Sequence, residues 1–161
     1  MSEFLNRFII HFVSLKEGVH HYDYVITDKF FEKFELSEIS NGHLEVDIIL
    51  EKHTSMLELR FDIEGFVMIP CDLCLEEFEM SIKSSNKMYV KFGNDYTEVA
   101  DDIIMLPRNA DEINVAQFIY EYINLAIPIR RVHPLDENGE ATCNPEMIRL
   151  LNELKPNNSD N

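Results

Sequence analysis

Asn41-Gly-His-Leu-Glu-Val-Asp-Ile-Ile-Leu-Glu-Lys-His-Thr-Ser-Met-Leu-Glu-Leu-Arg-Phe-Asp-Ile-Glu64 is the stretch that decides the fold class. Asn41-Gly42 is a strong turn signal, and beyond it Leu44, Val46, Ile48 and Leu50 alternate with Glu45, Asp47 and Glu51. A second alternation follows, with Leu57, Leu59, Phe61 and Ile63 on one face and Glu58, Arg60, Asp62 and Glu64 on the other. A period of two places every second side chain on the same side of a strand, so both segments read as half-buried strands.

Working outward, Phe8 to Leu15 is apolar-rich, Lys16-Glu-Gly18 supplies a turn, and His21 to Ile26 alternates as a further strand. Asp28 can cap a short helix through Phe30, Phe31 and Phe34, or the same aromatics can form an irregular staple on the sheet. Downstream, Gly65 is expected to break the alternation before Phe66-Val-Met-Ile69 carries it to Pro70. The pattern resumes through Phe78, Met80 and Ile82 and again at Met88, Val90 and Phe92.

Helical spacing begins only at Asn114, an N-cap candidate with Gln117 three residues on. Val115, Phe118, Ile119, Tyr122 and Ala126 follow at that spacing, and Pro128 ends the run. A polar loop from Ile129 to Cys143 leads to a short helix over Pro145 to Lys155 with Met147, Leu150, Leu151 and Leu154 on one face. The expected fold is α+β: an antiparallel, curved or barrel-like sheet, one long helix, and a short C-terminal helix. One domain is expected over residues 1–155, strand-rich over 1–106 and helical and looped over 107–155, with 156–161 a disordered tail.

With 161 residues, 45% of them hydrophobic, the chain can bury a core without a metal or disulfides. Its run Phe8 to Val13, with Glu3, Arg7, Lys16 and Glu17 around it, is too short and too broken for a secretory or membrane segment, so a reducing cytoplasm is expected and no membrane partner. The net charge of −16, from 30 acidic and 14 basic residues, opposes a groove-reading nucleic-acid protein and suits a basic protein partner. Five glycines make nucleotide-cradling loops improbable, and there is no Ser/His/Asp signature or helical His-Glu-x-x-His motif.

Cys71-Asp-Leu-Cys74 lies at the reversal between two strands. Together with His133 and Cys143 it offers the Cys3His set that zinc accepts. Thiols that only pack, and a redox dithiol, are the competing readings. The redox pair is disfavoured because both flanks read as strand, with no helix to lower the first thiol's pKa, and Asp72, Glu76 and Glu77 oppose the thiolate. Lys83, Lys87 and Lys91, with Arg130 and Arg131, are candidates for an RNA or partner contact; solubilising surface charge is the alternative.

Cys71-Asp-Leu-Cys74-Leu75, a helix ending Leu125-Ala-Ile-Pro128, then His133 and Cys143 resemble the YceD family, the large ribosomal RNA subunit accumulation proteins. The resemblance implies a bacterial cytoplasmic protein supporting synthesis, processing or stability of large-subunit ribosomal RNA, with no established catalytic activity. A pre-ribosomal particle or basic ribosomal protein is the expected partner, and the effect on ribosomal RNA can be direct or indirect. Many members carry a richer cysteine cluster after the helix, whereas this chain has only His133 and Cys143 there, a reduced form. The competing functional reading is a thiol-disulfide or metal-dependent enzyme using Cys71 and Cys74.

Overall fold

The computed structural model describes residues 3–34, 37–128, 131–132 and 145–154. Its core is a six-stranded sheet. Strand β2 (Gly18–Ile26) pairs antiparallel with β3 (Asn41–Lys52), β3 with β4 (Met56–Pro70), and β4 with β5 (Glu77–Gly93). The chain then forms β6 (Thr97–Ala100) and returns as β7 (Ile103–Pro107), which inserts between β5 and β6. Two short strands, β1 (Ile9–Ile10) and β8 (Ile113–Asn114), pair apart from this sheet.

The α+β class and the short C-terminal helix hold, but the expected sheet and long helix do not. The strand order runs from β2 at one edge to β6 at the other, so the sheet is open rather than curved into a barrel. It is also mixed rather than antiparallel, because β7 runs parallel to β5. Alternating burial is the same whichever way a neighbour runs, and so carries no information on direction. Among the described residues there is no long helix either: α2 (Ala116–Ala126) has 11 residues and the C-terminal α3 (Pro145–Leu154) has 10. Ile127 is extended at ψ 127°, as a residue before proline must be, and this stops α2 one residue short of Pro128.

The two alternating segments behave as read. Leu44, Val46, Ile48, Leu50, Leu59 and Phe61 are completely buried, and their charged neighbours face outward. Gly65 does not break the pattern: β4 passes through it in register with both neighbours, and Val67 and Ile69 stay on the buried side. What requires glycine is close approach. A Cβ at Gly65 would lie 2.1 Å from the His43 carbonyl oxygen and 2.7 Å from the Leu44 Cα, at φ +151°.

The N-terminal segment is not the expected strand over Phe8 to Leu15. It is two 3-10 turns, Glu3–Phe8 and Phe12–Ser14, around the two-residue β1, and it buries Phe8, Ile10 and Phe12. The Lys52 ammonium at the end of β3 fastens it by donating to the carbonyls of Phe12 at 2.9 Å, Val13 at 3.3 Å and Leu15 at 2.7 Å. A single helical turn, α1 (Asp28–Phe31), packs Phe30 against Phe8 and Phe34 with ring centroids 5.4 and 5.0 Å apart. Phe34 stacks in turn on Tyr120 of α2 at 4.0 Å. The N-cap of α2 is Val115 rather than the expected Asn114, whose Oδ1, one residue before the cap, instead accepts from the Ala116 amide at 2.9 Å. Among the described residues, no helix is long and apolar enough to cross a membrane.

Candidate functional site

The cysteine pair occupies the reversal between β4 and β5, where Cys71 and Cys74 are 0% and 1% exposed. The turn closes on its own backbone. The Cys71 amide donates to the Glu76 carbonyl at 2.8 Å, and the Leu75 amide to the Cys71 carbonyl at 2.9 Å. Leu75 adopts a left-handed φ of 65°, unusual for a side chain with a Cβ, and this reverses the chain into β5. Both sulfurs thus face the hydrophobic core. Thiol-disulfide exchange needs an accessible sulfur, so this placement suits a structural role.

Asp72, between the cysteines, holds the segment that follows α2. Its amide donates to the Arg131 carbonyl at 2.6 Å, and its carboxylate accepts from the Arg131 amide at 2.8 Å. The Arg131 guanidinium pairs with the Glu38 carboxylate, while its Nε is buried without a partner among the described residues. His133, Cys143 and Arg130 lie outside the described residues. In the sequence Asp72 carries only a charge effect on the thiols, and its position within a reversal is the one signal there for a backbone role.

The second feature is the outer face of the sheet. In register across three strands, Asp23 pairs with Asp47 and Asp47 with Asp62. The next row sets Glu45 against Glu64, and towards the opposite end Glu51 faces Glu58. Like charges directly opposed on a sheet repel. Asp62 has Arg60 at 3.4 Å, but Asp23, Glu45, Asp47 and Glu64 make no ion pair with a described residue. Each of these acids was visible as a polar alternate, but only the register showed that they stack into rows.

The candidate cations are spread along β5 rather than gathered at the knuckle. Lys83 stands opposite Glu64, Lys87 opposite Arg60 and Lys91 opposite Met56. At about 3.3 Å per residue, Lys91 lies over 40 Å along the strand from its start beside the cysteine turn. Lys87 donates to Glu58 at 3.1 Å, and that hydrogen bond raises its pKa above the ordinary lysine value. A further group missed in the sequence is Glu51, His53 and Glu58, whose ligating atoms all lie within 4.8 Å of one another beside the β3–β4 turn. These residue types can hold a metal, but the cluster is partly exposed and Lys87 already neutralises Glu58.

Residues 59–158 match the family model described as "Large ribosomal RNA subunit accumulation protein YceD". No curated protein and no solved structure matches the chain. The matched segment covers more than half of the sequence, from near the start of β4 through the cysteine turn and both α2 and α3.

Proposed function

This chain belongs to the YceD family, and from that premise we propose a non-enzymatic factor that supports synthesis, processing or stability of large-subunit ribosomal RNA in the cytoplasm. It works by binding a basic ribosomal protein or a pre-ribosomal particle. The observation that carries this reading is the row Asp23, Asp47, Asp62 on an uncovered sheet face. Opposed carboxylates raise the free energy of the unbound chain, and a cationic partner both gains attraction and relieves that repulsion. The same field disfavours direct phosphate contact at this face.

At the other end, the cysteine turn is a clasp. Cys71 and Cys74 bind zinc together with His133 and Cys143, fastening the segment after α2 to the β4–β5 reversal. The Asp72–Arg131 pairing supports this, since it brings the chain to the turn two residues before His133. Lys83, Lys87, Lys91, Arg130 and Arg131 remain the candidate cationic positions for an RNA or partner contact, with Lys87 committed in part to Glu58 and Arg131 to Glu38.

Depletion of the protein is expected to lower large-subunit ribosomal RNA and the large-subunit peak in sedimentation profiles. Normal levels and profiles would overturn the assembly reading. For the clasp, metal analysis of protein purified without added zinc is expected to give one zinc per chain, lost in Cys71→Ser. Zinc near zero in the unsubstituted protein would overturn that part alone.

A further inference from the structure

The inner face of the sheet is only partly covered. α2 packs over β5, and its Tyr122 meets Phe61 of β4 with ring centroids 5.0 Å apart. Beyond the helix the sheet continues to β7 and β6, leaving a groove of about 620 Å³ between α2 and β6. Its walls include Met88, Ile104, Phe118 and Tyr122, flanked by Val99 and Leu125, which are 54% and 78% exposed. Phe118, Tyr122 and Leu125 follow at helical spacing and form one stripe. A second cavity of about 250 Å³ shares Ile104 and Phe118 and extends the groove towards Tyr96.

The rim is acidic. Glu98, Asp101 and Glu121 edge the larger cavity and Glu112 the smaller, and among the described residues no Lys or Arg lines either. The Tyr96 hydroxyl has a raised pKa, from burial first and then from Glu98 and Glu121, so the negative field reaches into the groove. β6 ends the sheet with Thr97 to Ala100 all exposed, and among the described residues no further strand closes that side. The chain's own α3 is a poor occupant: with Glu146 and Glu153 against Arg149, it carries the same sign as the rim.

We propose that this groove docks a cationic polypeptide segment with large apolar side chains. The apolar residues seat against Phe118, Val99 and Leu125, and lysines or arginines pair with Glu98, Asp101 and Glu121. An exposed apolar strip rimmed by one sign of charge selects such a segment over RNA, whose phosphates the rim repels, and over a purely polar basic chain, which leaves the strip wet. The inference rests on the basic-partner reading and adds to it a second place, on the sheet face opposite the Asp23, Asp47 and Asp62 row, where an apolar segment of such a partner is held.

The test titrates the full chain with two synthetic probes, an amphipathic Lys/Leu helical peptide and an oligolysine of equal charge. The Lys/Leu peptide is expected to bind at least about tenfold more tightly, and V99K/L125K to lose at least about tenfold for it. Both positions are exposed, so the variant is expected to keep the parent's thermal midpoint. D23N/D47N, on the outer face, is expected to leave Lys/Leu binding within about twofold at physiological salt. Equal binding of the two probes, or undiminished binding by V99K/L125K, overturns the groove. In a strain lacking the gene, the parent is expected to restore large-subunit ribosomal RNA and V99K/L125K to fail. Restoration by both overturns the groove while the assembly role stands. No ribosomal RNA defect in that strain overturns the assembly role, and the peptide titration then decides the groove by itself.

Discussion

Asp72 and Arg131, 59 residues apart in sequence, exchange two hydrogen bonds: amide to carbonyl at 2.6 Å and amide to carboxylate at 2.8 Å. The pair joins the β4–β5 reversal to the chain leaving α2. Asp72→Ala deletes only the carboxylate acceptor, at an exposed site, so a loss of about 1 kcal/mol is expected in urea denaturation. Asp72→Asn keeps an acceptor and is expected to recover most of it. Faster hydrogen exchange at the Arg131 amide in Asp72→Ala would locate the effect. An unchanged exchange rate would show that the carboxylate does not hold this segment.

Gly65 and Gly18 both have positive φ, at +151° and +124°, but only Gly65 is crowded. A Cβ at Gly18 meets nothing within 4 Å, so Gly18→Ala is expected to cost backbone strain alone, about 1–2 kcal/mol. Gly65→Ala adds a clash with β3 backbone that no rotamer relieves, and a loss above about 4 kcal/mol or failure to fold is expected. Equal midpoints for the two variants in thermal denaturation would contradict the close packing at Gly65.

Asp47 sits between Asp23 and Asp62 in the acidic row. Asp47→Asn is therefore expected to raise stability by about 0.5 kcal/mol at low salt, with the gain shrinking as salt screens the repulsion. A loss of stability, or a gain that salt leaves unchanged, would mean that repulsion is not what Asp47 contributes.

Tyr24 stacks on Phe8 at 4.8 Å, and burial, aided by Tyr22 and Asp23, pushes its hydroxyl up to about 12. The folded state then holds the proton more tightly than the unfolded chain, whose tyrosine titrates near 10.0. Stability from this group is full below pH 10 and declines as pH rises towards 12. Tyr24→Phe is expected to flatten that decline and to remove a late step from the tyrosinate absorbance titration. A Tyr24→Phe titration superimposable on the parent's would show that Tyr24 is not the late-titrating group.

Much of the strand core was legible because burial on one face writes a period of two into the chain. That period alone puts Leu44, Val46, Ile48 and Leu50, and Leu57, Leu59, Phe61 and Ile63, on one face, and the flanking patterns put Cys71 and Cys74 at the reversal between strands. The same period is blind to register and to strand direction. It therefore could not show β7 inserted parallel to β5, nor Asp23, Asp47 and Asp62 aligned in one row. Lys52 illustrates the same limit: as a residue type it reads as solvated, and only the folded N-terminal turns bring three carbonyls to its ammonium.

By itself, then, the sequence determined the α+β class, the buried face of the long strands, the acidic character and the cysteine turn, since local pattern and composition encode each of these. Tertiary structure alone decided that the sheet stays open and mixed, that Arg131 reaches Asp72, and that α2 leaves an acid-rimmed apolar groove beside β6. Those relationships join residues far apart along the chain. Their geometry comes from which strands pair and in what register, and no local periodicity specifies it.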